Sequence, residues 1–184
     1  MNSARRLPWR ATSGRAPEGL AATRVLDEPL ELLTGPGHAP AGAGAVAPAD
    51  LAGHRIWMPG IVDGTEWAAS YAALADAFGL TIDSVGPDFG IEALLDAVTD
   101  SSAPATFVGA QTRLVWPAGH DLRRIALTGP TPVYPHCLVR DAANAHPALA
   151  ALRAHLAGPS PAPAGAGAWT PDWAVRGVFR PGPP

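Results

Sequence analysis

Between residues 55 and 108, short apolar runs alternate with segments whose apolar residues recur at helical spacing. The predicted elements, in chain order, are a strand at 55–58, a helix at 64–78, a strand at 80–85, a helix at 90–99 and a strand at 105–108. A strand–helix–strand–helix–strand order builds a parallel sheet, because each helix carries the chain back across the sheet in a right-handed crossover. The sequence therefore predicts an α/β fold.

The first predicted helix is the most strongly patterned. Its apolar residues recur every three or four positions and so share one face: Trp67, Tyr71, Leu74 and Phe78. The four residues Asp63-Gly64-Thr65-Glu66 have the form of a capping box, so we expect Asp63 at the N-cap and Glu66 reaching back to it. Gly79 follows where a left-handed C-terminal cap is expected.

Further elements lie on both sides of this unit. Asp88 is the expected N-cap of the second helix, whose apolar face comprises Ile91, Leu94, Leu95 and Val98. A third helix is predicted at 147–157, with Pro147 at its first position and an apolar stripe of Leu149, Leu152 and Leu156. The remaining predicted strands are 30–33, 113–116, 124–127 and 133–139.

Two segments contain many chain breakers and no large apolar residue, namely 37–49 and 158–168. Both are predicted to be loop or linker. The second segment opens a Pro/Ala/Gly-rich tail, 158–184, which carries several large apolar residues: Trp169, Trp173, Val175, Val178 and Phe179. These residues form either a short docking segment or an irregular end with incidental apolar residues.

Charge and hydropathy exclude several classes of protein. The formal net charge is -3, all 13 basic residues are Arg, and they form no basic cluster, which argues against binding nucleic acid by phosphate neutralisation alone. The sequence contains no run of about 18 apolar residues, so it predicts no membrane span. The first ten residues lack the apolar core of a secretory signal. We therefore expect a cytoplasmic protein.

The sequence shows no recognisable catalytic, cofactor or metal motif. It has no nucleophile elbow and no P-loop, and its six His residues have no zinc-binding spacing. His136 and the single cysteine, Cys137, are adjacent in a predicted strand, so they face opposite sides and Cys137 is expected to be a buried structural residue. Asp63 and Glu66 could serve as acid and base, but helix capping accounts for both. We predict no enzyme activity, no cofactor and no metal.

Two loops have the character of binding loops. The first, 59–65, leaves a predicted strand and enters a helix N-terminus, and 86–90 does the same after the next strand. Ligands of open α/β sheets bind outside the carboxyl ends of the strands, and helix N-termini favour carboxylates and other anions. The alternative is that both are ordinary connections of an α/β domain.

Residues 14–157 resemble the C-terminal part of the effector-binding domain of LysR-type transcriptional regulators, in the form common in high-GC actinobacteria. The resemblance is carried by the order and spacing of several stretches: GRAPEGL at 14–20, VLDEPLELLTGPGH at 25–38, DLAGHRIWMPGIVDGTEW at 50–67, FGLTIDSVGPDFGIEALLDAV at 78–98, ATFVG at 105–109, TRLVWP at 112–117 and HPALAALRAHL at 146–156.

The resemblance implies a fold like that of the type 2 periplasmic binding proteins, with two α/β subdomains flanking a cleft. Residues 50–118 look like most of the second subdomain, while 29–34 and 133–139 look like strands beside the hinge. The family's winged helix-turn-helix and the opening part of the first subdomain are expected to be missing, and residues 1–13 look irregular. Apolar surface would then be uncovered unless a homo-oligomer or a full-length paralogue covers it.

The resemblance also implies that the chain binds a small organic effector, with an anion favoured by the helix N-termini, and that by itself it makes no direct DNA contact. The implied effector-binding residues come from three strand ends: Gly60, Ile61, Thr65, Asp88, Phe89, Gly90, Phe107, Val108 and Gly109. Two alternatives stay open, a free-standing solute-binding module of periplasmic-binding-protein type and a small hydrolase. A hydrolase would place a nucleophile and a base within hydrogen-bond reach, whereas a regulator would show a half-open cleft.

Overall fold

A computed structural model describes residues 18–86, 90–100, 102, 104–157 and 167–176. Its strands and helices, in chain order, are β1 (Leu20–Thr34), β2 (Ala45–Val46), β3 (Arg55–Trp57), α1 (Glu66–Phe78), β4 (Thr81–Asp83), α2 (Ile91–Thr99), β5 (Pro104–Gly109), β6 (Arg123–Leu127), β7 (Thr131–Asp141), α3 (Pro147–Leu156), β8 (Ala168–Trp169) and α4 (Asp172–Arg176).

The predicted parallel unit is present, because β3 pairs in parallel with both β4 and β5. The main sheet runs in the order β2-β6-β1-β5-β3-β4. The strand predicted at 113–116 is wrong, since this segment has no strand structure. A strand forms only where another strand offers a free edge to pair with. Along Glu31–Thr34, β1 offers none, because it already pairs with β5 on one side and with β6 on the other.

The opening strand is much longer than the predicted run of 30–33. The half of β1 that lies beyond the main sheet pairs antiparallel with β7, from Leu20 opposite Asp141 to Pro29 opposite Val133, with an irregularity between Arg24 and Leu26. Of the two segments expected to lie beside a hinge, 133–139 therefore leaves the main sheet paired with residues 22–29 of β1, whereas 30–34 lies in the main sheet between β5 and β6.

Apolar side chains cover both faces of the sheet. On one face Tyr71 and Leu74 of α1 pack on β1, β3, β5 and β6, in a cluster of buried residues that includes Leu32, Ile56 and Ile125. On the other face Leu95 and Val98 of α2 pack on β1 and β5, in a cluster completed by Leu33, Val108 and Leu122. β1 and β5 therefore contribute buried apolar side chains to both faces of the sheet.

The N-terminal cap of α1 differs from the prediction. Thr65, not Asp63, is the N-cap, and its Oγ1 accepts a hydrogen bond of 3.1 Å from the Ala68 N–H. The helix begins at Glu66, so the exposed Asp63 lies too far before it to reach a first-turn N–H. Gly79 ends the helix with φ 67°, which confirms the predicted left-handed cap.

The N-caps of α2 and α3 are the residues directly before their first turns. Gly90, not Asp88, is the N-cap of α2, and Asp88 itself lies outside the described residues. In α3, Pro147 occupies the first position as predicted, after His146 as N-cap. The predicted apolar stripe of α3 does not enter a core, since no residue of this helix is buried. Its Leu152 is 43% exposed.

Both low-complexity segments contain residues with regular secondary structure. Within 37–49 the structure has two short 3-10 helices, Ala39–Gly42 and the start of Pro48–Leu51, as well as β2, so the prediction of loop or linker is wrong for these residues. Composition misses this because Leu51, just beyond the segment, is fully buried and holds it in place.

In the tail, β8 pairs in parallel with the start of β7, and the Trp169 ring lies edge-on to Phe78 with centroids 5.4 Å apart. These contacts favour the docking interpretation for 167–176, whereas Val178 and Phe179 lie outside the described residues. Across the described ranges, no helix has the length and apolarity needed to cross a membrane.

Candidate functional site

A cleft of about 370 Å³ opens where β3 and β5 end and where α1 and α2 begin. It lies at the carboxyl ends of parallel strands, where open α/β sheets bind ligands. We call this cavity the cleft. It is lined by Glu28, Leu30, Met58, Pro59, Trp67, Tyr71, Ile91, Leu94, Thr106, Phe107, Val108, Gly109, Thr112, Leu114, Tyr134 and His136. The volume lies toward the lower end of the range of about 300–1,000 Å³ that is common for small-molecule sites.

One wall of the cleft is aromatic. Trp67 and Tyr71 follow one another on the same face of α1, with their rings edge-to-face and 5.7 Å apart. Tyr71 in turn lies nearly parallel to Phe107 of β5, at 6.2 Å and 5°. Tyr71 and Phe107 are buried, whereas Trp67 is 41% exposed at the mouth. Burial raises the pKa of the Tyr71 phenol far above its ordinary value, so this residue stays neutral.

The aromatic wall is anchored to β3 through a thioether. The Thr106 hydroxyl donates to the Met58 Sδ at 3.1 Å, and the Phe107 N–H donates to the same sulfur at 3.3 Å. Met58 follows β3 directly and Phe107 lies in β5, so the sulfur fixes the ends of two neighbouring strands. The Phe107 N–H is buried, and a buried N–H without an acceptor would be costly. The polarisable thioether of Met58 supplies that acceptor.

The opposite wall is organised by the Glu28 carboxylate on β1. Its Oε1 accepts from the Gln111 N–H at 3.0 Å and from the Thr112 hydroxyl at 3.3 Å. Its Oε2 lies 2.9 Å from His136 Nε2 on β7. A Cβ at Gly109 would lie 2.1 Å from Glu28 Oε1, so the carboxylate occupies the space that the glycine leaves. Glu28 thus ties both strands that leave the main sheet to the loop after β5.

A second polar contact joins β7 to α1. The Tyr134 hydroxyl donates to Glu66 Oε2 at 2.7 Å, and the Tyr134 ring lies edge-to-face with His136 at 5.4 Å. The pKa of the Tyr134 phenol is raised far above its ordinary value. Burial is the largest cause, and the hydrogen bond to the Glu66 carboxylate is the second. Glu66 is therefore a partner of β7 and not the reciprocal half of a capping box.

The sequence-predicted site residues are distributed unevenly. Phe107, Val108 and Gly109 all line the cleft. Gly60 turns the chain after β3 with φ 86°, and Ile61 packs against the apolar core. Thr65 is exposed and used as the cap of α1.

The loop before α2 contributes less to the described site. Gly90 is the N-cap of α2, next to Ile91, which does line the cleft. Asp88 and Phe89 lie outside the described residues.

Sequence reasoning missed the most polar and the most aromatic lining residues: Glu28, Trp67, Tyr71, Tyr134 and His136. A signal for some of them was present. Tyr134 and His136 alternate in a predicted strand and so share one face, while Trp67 and Tyr71 are four residues apart on a predicted helix. Glu28 had no such signal, because its role depends on a pairing with residues more than 80 positions away.

The arrangement does not form a nucleophile–base pair. His136 faces Glu28 in the cleft, while the neighbouring Cys137 does not line it. Cys137 is only half-buried, and burial, reinforced by the Glu66 carboxylate, raises the pKa of its thiol to about 12. The Thr112 hydroxyl contacts Glu28 and not the imidazole, so the carboxylate lies between the two groups that a hydrolase would place in contact.

No protein-family model and no curated protein sequence matches the chain. Solved structures do match. The reduced OxyR regulatory domain from Pseudomonas aeruginosa is 12% identical, with a TM-score of 0.58 over 77% of this chain and 66% of that one. The CcmR regulatory domain from Synechocystis PCC6803, in complex with 2-PG, is 18% identical, with a TM-score of 0.54 over 77% of this chain and 68% of that one.

A third match is HinK, a LysR-family transcriptional regulator from Pseudomonas aeruginosa, which is 14% identical with a TM-score of 0.52. The match covers 67% of this chain and 42% of the HinK chain, so the chain spans less than half the length of that regulator. The chain therefore has the fold of LysR-family regulatory domains, and the predicted type 2 periplasmic-binding-protein-like class is confirmed.

Proposed function

We propose that the chain is an effector-binding part of a LysR-type transcriptional regulator and that it binds a small organic molecule in the cleft. The observation that carries the proposal is the position of the cleft, at the carboxyl ends of β3 and β5 and beside the paired strands β1 and β7. A ligand there contacts the second subdomain and both connecting strands at once. Its binding energy can therefore bias the angle between those strands and the main sheet, which is how a ligand shifts a conformational equilibrium.

The proposal includes the absence of catalysis. The proteins whose structures resemble this chain are regulators. Within the cleft, Glu28 accepts hydrogen bonds from the Thr112 hydroxyl and the Gln111 N–H and contacts His136. Its oxygens are thus held in a structural network, and the hydroxyl is not presented to the imidazole. Such a network positions a ligand and lacks the nucleophile that a hydrolase needs.

We infer that residues of β5 form the floor of the effector site, namely Phe107, Val108 and Gly109, and that the loop before α2, which contains Asp88, Phe89 and Gly90, borders its mouth. Gly60, Ile61 and Thr65 then support this site from behind, because Ile61 packs on the core and Thr65 caps α1.

An anionic effector, which the helix N-termini predict, would have to place its charge at the start of α2. The 2-phosphoglycolate bound by CcmR is such an anion. In this chain Glu28 occupies the other polar wall and would repel it.

A fragment screen tests the binding function. The full chain, labelled with ¹⁵N, is titrated with small organic fragments, and binders are expected to shift the Trp67 indole and Gly109 amide resonances and to raise the melting temperature. Ile91→Gln should weaken binders several-fold, because Ile91 is an exposed apolar residue of the cleft rim. Leu152→Ala on α3 is the matched control. Binders that shift only α3 resonances would refute the proposal.

DNA binding and assembly form the second test. A regulator of this type acts in the cytoplasm, and we propose that this chain by itself binds no specific DNA site, consistent with its net charge of -3. Nanomolar binding in a gel-shift assay that persists at high salt would contradict this.

The exposed stripe of α3 suits a covering partner, either a second copy or a full-length paralogue. Sedimentation of the chain at rising concentration tests self-association.

A further inference from the structure

Among the described residues, a carboxylate and an imidazole line the cleft, but no Arg does. Glu28 is the one carboxylate among the described residues that line the cleft, and its Oε2 lies 2.9 Å from His136 Nε2. Arg124 lies nearby, but its guanidinium is used by Glu31 at 2.6 Å and by the carbonyl oxygens of Thr112 and Gly109 at 2.9 and 2.6 Å. That guanidinium holds the loop after β5 in place and does not contribute to the lining.

Three hydroxyl donors around the cleft are directed at protein acceptors. Tyr134 donates to Glu66, Thr112 to Glu28 and Thr106 to Met58 Sδ. The amide N–H groups of Phe107 and Gln111 are likewise used, by the thioether and by Glu28. A hydroxyl that has donated its hydrogen still accepts. These groups therefore offer a ligand acceptor lone pairs and a carboxylate, which suit a ligand that donates or carries positive charge.

The aromatic wall has the same preference. The face of an aromatic ring carries negative charge density, so it attracts a cation placed over it within about 6 Å. Trp67 is the strongest ring type for this contact, and it is 41% exposed at the mouth with Tyr71 behind it. Tyr134 lines the other side of the cleft, near Glu28 and His136. Aromatic rings and a carboxylate that line one cavity can together form a cage for an organic ammonium group.

We propose that the effector of this chain is an organic cation, an alkylated or quaternary ammonium compound, whose charged head lies against Trp67 and Tyr71 and faces Glu28. The inference rests on the proposed effector-binding function and narrows it to a ligand class. A carboxylate ligand of the same shape would meet the Glu28 charge without a compensating Arg, so it binds more weakly. A neutral isostere retains the apolar contacts but loses the attraction to the rings and the carboxylate.

Three probes of matched shape test the charge preference: choline, dimethylbutanol (in which carbon replaces the nitrogen) and dimethylbutyrate. Each is titrated into the full ¹⁵N-labelled chain, and the Trp67 indole resonance, assigned from Trp67→Phe, is followed. Choline is expected to bind about tenfold more tightly than dimethylbutanol, the size of a partly exposed cation–π contact combined with a nearby carboxylate. Dimethylbutyrate is expected to bind most weakly.

Variants separate the two sources of attraction. Trp67→Leu should abolish choline binding, and Trp67→Phe should restore part of it because the ring face returns. Glu28→Gln should weaken choline several-fold and leave dimethylbutanol unchanged, since the amide keeps an acceptor oxygen for Gln111. Leu152→Ala serves as the control that leaves all three affinities unchanged, and the unfolding transition of each variant is measured first.

Two results would overturn the inference. If dimethylbutanol or dimethylbutyrate shifts the Trp67 resonance at concentrations equal to or below those of choline, the cleft binds effectors but does not select cations, and the proposed function stands without this refinement. If none of the three shifts that resonance, the cation cage is refuted, and the fragment screen alone decides whether the cleft binds an effector of another kind.

Discussion

Truncating Trp169 to alanine tests whether the tail is an integral part of the fold. The residue belongs to β8, which pairs with the start of β7, and its ring packs against the core and edge-on to Phe78. If the apolar residues of the tail were incidental, the substitution would leave stability unchanged. If the tail docks as described, the substitution opens a gap beside α1 and removes the principal contact that holds β8 in place.

The size of the effect follows from burial. Truncating a fully buried Trp costs about 3–5 kcal/mol. Trp169 is only partly buried, so we expect a loss of about 2–3 kcal/mol in the free energy of unfolding. About 0.5–1.5 kcal/mol of this belongs to the aromatic pair itself. For a chain of this size, such a loss lowers the melting temperature by roughly 5–10 °C.

Urea denaturation of the full chain, followed by circular dichroism at equilibrium, measures the loss, and Leu152→Ala on the exposed face of α3 is the apolar control. A double-mutant cycle with Phe78→Ala isolates the ring pair, and its coupling energy should be about 1 kcal/mol. A Trp169→Ala variant as stable as the control, or a coupling energy of zero, would refute the docking of the tail.

Three further predictions concern single side chains. Gly109→Ala should lower the free energy of unfolding by about 1–3 kcal/mol, because its Cβ would displace the Glu28 carboxylate from its hydrogen bonds; a thermal midpoint equal to wild type would contradict that contact. Thr65→Ala should cost about 1 kcal/mol through loss of the α1 cap, whereas Asp63→Ala should cost less than about 0.5 kcal/mol, and the reverse order in urea titrations would restore the capping-box interpretation. Since burial raises the pKa of the Cys137 thiol from 9.0 to about 12, alkylation by iodoacetamide near pH 8 should be roughly a thousandfold slower than in the denatured chain; equal rates measured by mass spectrometry would refute it.

The fold could be predicted from local pattern because the central elements carry their own signals. The helix over 66–78 combines a regular apolar stripe with Gly79 at its end, and β3, β4 and β5 are apolar runs of the expected spacing. Periodicity in the sequence indicates which residues are buried, and in this unit the buried residues recur at the regular spacing of a helix or a strand. The resemblance to LysR-type regulators named the same fold class before any contact was known.

The errors have a common physical origin. The segment 113–116 has the composition of a strand, but pairing is decided by a partner edge, and both edges of β1 at Glu31–Thr34 are occupied. Asp63 fits a capping box, yet the helix begins later because Thr65 can satisfy the first turn while Glu66 is drawn to Tyr134. Local sequence could not reveal these competing long-range contacts.

The candidate site was predicted only in part for the same reason. Phe107, Val108 and Gly109, which the resemblance implies as effector-binding residues, line the cleft at the carboxyl end of β5. The polar wall of the cleft requires Glu28 to meet Gln111 and His136, which come from distant parts of the chain. Strand pattern identifies the face of such a residue but not the neighbour it finds.

The long opening strand has a consequence for the order in which the protein can be made. All three strands that pair with β1 lie at residues 104–141, so a ribosome delivers β1 first and its partners last. Until β5 emerges, the apolar side chains of Leu30, Leu32 and Leu33, buried in the finished fold, have no sheet to enter. Folding of this sheet during synthesis is therefore postponed until residues 104–141 have emerged, and until then chaperones that bind exposed apolar strands can reach this segment.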